Sequence, residues 1–295
     1  MNYNRRKFIK QTAGIGSGFA LASLAGNSLF GEDFFDSGKK LKTFGLQLYT
    51  LRDDLPGNPK GVLHQVSTFG YKQIESYEGK DGMFWGMGNK GFKKYMDELG
   101  MTIISSHCDT SGKDFEKKAN EAAEIGMKYL FCPWKGPQKK LDDYKKIADE
   151  FNVCGDICKK AGIRFGYHNH DYSFKELEGQ LPQDVMMKNT NPDTVDFEMD
   201  IYWVVVSGQD PIEWFKKYPK RFTACHVKDY SKTPGPENGK NSTDLGKGTI
   251  KFGEILKEGM KLGLQYPIVE QEFYPIGTPL QSVKVDAEYM KKLKV

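Results

Sequence analysis

The sequence predicts an α/β protein built as one closed (β/α)8 TIM barrel, and three observations carry that expectation. Eight short apolar, β-rich runs alternate with longer amphipathic stretches. Most of the runs recur at about 30 residues, the length of one βα unit. Several follow a glycine placed to close the preceding helix. An open doubly wound sheet also alternates, but its first strand should lead into a phosphate-binding glycine loop. No such loop follows the first run.

In chain order, the first run is Thr43 to Leu48, behind a polar linker. The second, Tyr71 to Glu75, follows Gly70, and the third, Met101 to Ser105, follows Gly100. The fourth, Tyr129 to Cys132, lies just beyond Gly126; the fifth, Ile163 to Tyr167, follows Gly162. Val195 to Met199 and Phe222 to Cys225 are the sixth and seventh, and Pro267 to Glu270, after Gly263, is the eighth. The stretches between them read as helices, such as Gly112 to Ile125 and Asp142 to Ala161. One connection is unusually long: Tyr230 to Thr249, rich in Pro, Gly, Asn and Lys, precedes a helix starting near Lys251. Such a loop is either a lid over a site or a simple insertion.

The chain has 295 residues, of which 38% are hydrophobic and 28% charged, the balance of a globular protein with a sizeable core. The expected organisation is a leader over 1–30, a linker over 31–41 and the barrel over 42–295. A net charge of +4 arises from 43 basic and 39 acidic residues scattered along the chain, so no basic block points to nucleic acid. Five cysteines, none in a CxxC pair, read as buried free thiols rather than a disulfide framework.

The leader runs Asn4-Arg5-Arg6-Lys7-Phe8-Ile9-Lys10 into a Gly/Ala/Ser-rich stretch from Thr12 to Phe30. It resembles a twin-arginine export signal, which implies a periplasmic protein exported already folded. Gly14, Gly16, Gly18 and Gly26 break the apolar stretch, so no membrane span is expected in the mature form. Retention as an uncleaved anchor and a plain basic tail are the alternatives.

Four of the five histidines fall at strand ends: His107 after the third run, His168 and His170 after the fifth, His226 after the seventh. His64 reads as an ordinary helix residue. Carboxylates occupy equivalent places: Glu75 after the second run, Asp200 after the sixth, Asp229 after the seventh, Glu270 and Glu272 after the eighth. All strand C-termini of a parallel barrel meet on one face, where active sites form. Imidazole nitrogen with carboxylate oxygen suits one divalent Mn, Zn, Co or Fe ion better than Mg.

The segments Tyr167-His-Asn-His170, Asp196-Phe-Glu-Met-Asp200-Ile-Tyr-Trp203, Cys225-His-Val-Lys-Asp229, Gly246-Lys-Gly248 and Val269-Glu-Gln-Glu272 resemble the xylose-isomerase-like barrel superfamily. The resemblance spans nearly all of the chain from Lys42 onward. That superfamily includes ketose epimerases, inosose dehydratase and an AP endonuclease branch. The resemblance implies metal ligands at His168, Asp200, His226 and Glu270, one each from strands five to eight. Strand five usually supplies a glutamate, so His168 is a departure.

Ketose epimerases of the superfamily use two glutamates on opposite faces of the substrate, and here only the strand-eight carboxylate remains. The expected catalytic set is therefore Glu270 or Glu272 as base, with His107, His170 or Lys228 as partner acid. The implied reaction is sugar isomerisation or epimerisation through an enediolate. A β-elimination by a keto-sugar lyase or dehydratase on the same site is the runner-up, and a non-catalytic sugar-binding barrel the third reading.

Expected substrate contacts are Gln47, Tyr49 and Arg52 after strand one, Glu75 after strand two, Trp134 and Lys135 after strand four, and Trp203 after strand six. Asp229 joins them, either touching substrate or orienting a histidine. The expected partner is a small carbohydrate. Export and the lack of an Arg/Lys cluster at strands seven and eight argue against a sugar phosphate. An endonuclease is disfavoured by the shortage of histidines. The oligomeric state is left open.

Overall fold

Eight parallel strands close on themselves in the order β1, β10, β7, β6, β5, β4, β3, β2 in the computed structural model, which describes residues 40–233 and 242–295. They are β1 (Gly45–Gln47), β2 (Gln73–Tyr77), β3 (Thr102–His107), β4 (Tyr129–Cys132), β5 (Arg164–His168), β6 (Val195–Asp200), β7 (Phe222–Val227) and β10 (Tyr266–Val269). Each coincides with one of the eight runs to within two residues at either end. The proposed leader, and most of the proposed linker, lie outside the described residues. No helix among the described residues is long and apolar enough to cross a membrane.

Helices fill the crossovers: α1 (Pro59–Phe69), α2 (Gly88–Glu98), α3 (Phe115–Glu124), α4 (Leu141–Ala161), α5 (Pro182–Asn189), α6 (Ile201–Val206), α7 (Pro211–Lys217), α8 (Phe252–Lys261) and α9 (Pro279–Met290). α4 shows why they form. Leu141, Tyr144, Ile147, Ala148, Phe151, Cys154 and Cys158 recur three and four apart and make one buried stripe against the barrel. Each large side chain in such a stripe contributes about 1.5–3 kcal/mol through burial. The helix ends at Gly162, whose φ of 89° is left-handed and lets its N–H turn back to the Cys158 and Lys159 carbonyls.

Side-chain alternation sorts each strand into an outward apolar face and an inward face. On β6 the inward positions are Asp196, Glu198 and Asp200, a ladder of carboxylates from the bottom of the barrel to the top. At the bottom, Asp196 accepts from Arg164. Tyr129, Phe131 and Ala224, with Tyr266 against them, form a small separate apolar cluster. Gly166 on β5 is there because space is short: a Cβ would stand 2.4 Å from the Phe131 ring.

The long connection after β7 is tied down at both ends. β8 (Asp229–Tyr230) pairs antiparallel with β9 (Ser242–Thr243). The Asp229 carboxylate accepts backbone N–H bonds from Tyr230 (2.8 Å), Gly246 (2.9 Å), Gly248 (3.0 Å) and Ile250 (3.2 Å). The sequence expectation for Asp229 as a substrate or histidine partner is thus corrected. Its acceptor capacity is spent on the backbone of the loop. All five cysteines are buried and unpaired, as expected.

Candidate metal centre and active site

Strand register delivers the site. β6 and β7 pair with Asp200 opposite His226, while His168 on β5 stands level with Glu198, two residues deeper. The side chains of His168, Asp200, His226 and Glu270 converge at the strand C-termini, one donor atom of each lying within 4.8 Å of the others. All four are buried. His168 Nε2 is 3.1 Å from His226 Nδ1 and 3.5 Å from Asp200 Oδ2; His226 Nδ1 is 3.1 Å from Glu270 Oε2. Two imidazole nitrogens and two carboxylate oxygens at this spacing fit a borderline divalent ion such as zinc or manganese.

The surroundings aim these atoms. Asp200 divides its oxygens: Oδ1 caps α6, accepting from the N–H groups of Tyr202 (2.9 Å) and Trp203 (3.3 Å), which turns Oδ2 toward His168 and Lys228. Asn169 latches β5 to β6, its amide meeting both the N–H (3.2 Å) and the carbonyl (3.3 Å) of Asp200. Glu75 Oε1 is 2.8 Å from His226 Nε2, the opposite side of the ring from the quartet. Gln47 (2.7 Å) and Ser105 (2.6 Å) donate to Glu75 in turn. A carboxylate behind a ligating imidazole fixes its tautomer and raises its basicity.

The electrostatics are extreme because so many charges are buried. Burial lowers the Lys228 pKa, but Glu272, Asp200 and Glu270 outweigh it and hold the ammonium well above its ordinary range. Lys228 Nζ donates to Glu270 (3.3 Å), Asp200 (3.4 Å) and Glu272. Burial raises Glu270, yet Lys228 and His226 bring it well below the usual carboxylate range. Glu75, also raised by burial, is pulled to about 2 by His107, His226 and Ser105. Burial, with the charge of Glu75, pushes Glu198 well above its ordinary value. His170 is driven well below its own, first by burial and then by His168 and Lys228.

Above the quartet opens a cavity of about 480 Å³, a size suited to a small organic molecule. Glu270 and Glu272 line one wall, and Trp134 stands across from them, since β10 and β4 are diametrically opposed in the barrel. Tyr49 and Tyr77 line a second wall facing His168 and His170. Trp134, 54% exposed, meets His170 edge-on at 4.5 Å between centroids. His107 reaches the cavity as well, with Nε2 2.7 Å from Glu198 Oε2. Among the described residues, no arginine or lysine lines this cavity.

Of the residues singled out from the sequence, Tyr49, His107, Trp134, His168, His170, Glu270 and Glu272 line the cavity. Gln47 and Glu75, expected to touch substrate, are fully buried and bonded to each other below it. Trp203 packs beside His170 and under Lys228 rather than on the cavity wall. Lys228, expected as a partner acid, is a buried cation shared by three carboxylates, which leaves its proton no reason to depart. Arg52 donates to the Tyr49 carbonyl and Tyr274 hydroxyl, and Lys135 pairs with Glu150. The sequence reading missed Tyr77 and Glu198. Both were legible in period-two alternation, two residues beyond Glu75 and two before Asp200.

The family described as Xylose isomerase-like TIM barrel matches residues 63–293, and the chain belongs to it. A solved structure titled sugar phosphate isomerase/epimerase, from Parabacteroides distasonis, is 31% identical, with 84% of this chain and 97% of that one covered at a TM-score of 0.73. Inosose dehydratase of Geobacillus kaustophilus is 22% identical over 210 residues, 61% of this chain and 66% of that enzyme's length. The chain thus spans just under two thirds of that curated relative. A structure titled IOLI protein with a binding zinc atom shares the fold at 15% identity and a TM-score of 0.68, covering 83% of this chain and 95% of that one.

Proposed function

We propose that this member of the xylose isomerase-like TIM barrel family is a sugar-modifying enzyme, a divalent-metal-dependent isomerase or epimerase. It would take the proton next to the carbonyl of a non-phosphorylated sugar or keto-sugar. The observation that carries this reading is the buried quartet of His168, Asp200, His226 and Glu270 at the floor of an open, aromatic-walled cavity. The zinc named for one structural relative supports the metal, and the names of two others, a sugar phosphate isomerase/epimerase and an inosose dehydratase, support sugar chemistry in general.

A zinc, manganese, cobalt or iron ion held by that quartet would polarise the substrate carbonyl and stabilise the enediolate charge left by the departing proton. The chain's own residues do the rest. Glu272 and Glu270 both accept from Lys228 on one wall, where a carboxylate can take the proton. His107 and His170 present imidazoles at the same cavity, placed to return a proton or to hydrogen-bond hydroxyls. Trp134 offers a flat apolar face to a sugar ring. The absence of lining cations among the described residues disfavours a phosphorylated substrate.

A second reading, β-elimination, is favoured by one observation. Strand five supplies an imidazole at His168, so the face across from Glu270 lacks a second carboxylate base. Proton removal on one face followed by loss of a neighbouring hydroxyl or glycosidic oxygen needs only one. The metal-loaded protein, incubated with neutral aldoses, ketoses and keto-glycosides in D2O and followed by NMR, separates the two. Deuterium beside the carbonyl with the carbon skeleton retained is expected; an enone product would transfer the assignment to elimination. Neither exchange nor product in a fully metal-loaded sample would leave only a sugar-binding barrel.

Export by the twin-arginine route is proposed on residues 4–10. Arg5→Lys with Arg6→Lys should remove the protein from the periplasmic fraction, and an unchanged distribution would contradict it.

A further inference from the structure

Directly below the quartet is a second set of four donors, Glu75, His107, Glu198 and His226, again with one atom of each within 4.8 Å of the others. Nitrogen and oxygen alternate around it. His107 Nε2 is 2.7 Å from Glu198 Oε2, which is 3.3 Å from His226 Nε2. His226 Nε2 is 2.8 Å from Glu75 Oε1, which is 3.3 Å from His107 Nε2. Donors around a tetrahedral zinc at about 2.0–2.1 Å stand roughly 3.3 Å apart. Two edges already have that length, and the other two have hydrogen-bond length.

Two further observations set this group apart from an ordinary hydrogen-bonded cluster. Glu198 is fully buried, and its Oε1 has no hydrogen-bond partner. A buried carboxylate oxygen with no donor is costly. The second observation is charge. Glu75, Glu198, Asp200 and Glu270 are four buried carboxylates, and Lys228 is the one ammonium buried with them. Gathered in a low-dielectric interior, that many carboxyl groups call for protons or cations to balance them.

We infer that Glu75, His107, Glu198 and His226 form a second divalent-cation site, of zinc-like preference, beneath the proposed catalytic one. The ring of His226 joins the two, Nδ1 facing the upper quartet and Nε2 the lower. A cation held by the lower set would fix the His226 ring from below and give the unpartnered Oε1 of Glu198 a positive neighbour. The shared ring is the one point at which the inference rests on the reading of the upper quartet.

The test is zinc stoichiometry. The intact protein and its variants are dialysed against zinc, freed of loosely held ion and analysed for metal, with circular dichroism confirming the fold. About two zinc ions per chain are expected in the unaltered protein, about one in Glu198→Gln and in His107→Gln, and about one in Asp200→Ala. One zinc that disappears in Asp200→Ala and persists in Glu198→Gln and His107→Gln would overturn the lower site while leaving the proposed function standing. Two zinc ions retained in both Glu198→Gln and His107→Gln would also overturn it. No zinc in any sample would remove both.

Discussion

Lys228 sets the balance of the site at the scale of single residues. Its ammonium is buried beside the carboxylates at the mouth of the barrel, and it reaches Asp200, Glu270 and Glu272 together. Removing it strands those charges. Lys228→Met should cost about 3–5 kcal/mol of stability, the range for breaking one side of a buried ion pair. Urea unfolding of the metal-free protein measures this; a loss below about 1 kcal/mol, the level of an exposed pair, would show that Lys228 is not the compensating charge. The strand-end histidines and carboxylates were legible in the sequence because each terminates a recognisable run. Lys228 and Asp229 were misjudged because a position beside a ligand does not say which way a side chain turns. One spends itself on carboxylates, the other on backbone N–H groups.

At the scale of elements, strands were easier to place than loops. Glycines such as Gly70 and Gly162 end helices with a left-handed φ that the sequence flags directly, so the βα period could be counted. What could not be counted was depth. β6 carries acids at 196, 198 and 200, but only the shear of the closed barrel sets His168 level with Glu198 and Asp200 level with His226. That stagger divides the donors into upper and lower quartets, and no one-dimensional pattern contains it. The same crowding governs Gly166 on β5, where a Cβ would meet the Phe131 ring at 2.4 Å and the Asp196 carbonyl at 3.2 Å. Gly166→Ala should therefore destabilise the barrel by about 1–3 kcal/mol, the usual cost of overpacking. Thermal unfolding checks it, and an unchanged or raised midpoint would show that the interior has room to give.

For the molecule as a whole, the barrel works as a frame that brings groups from many strands to one mouth. The strands that supply the upper quartet, β5, β6, β7 and β10, are consecutive around the ring, so the proposed ion sits toward one side of the mouth. The opposite arc supplies Tyr49, Tyr77 and Trp134, an aromatic half-circle facing the donors. A sugar held between the two would present its carbonyl to one side and its ring faces to the other. This division follows from the topology, and it makes the location of the ion the point on which the functional reading turns. Diffraction from zinc-soaked crystals at the zinc absorption edge tests that location most directly. The expected result is a strong anomalous peak bounded by His168, Asp200, His226 and Glu270; zinc bound elsewhere, with no peak among those four side chains, would contradict the account.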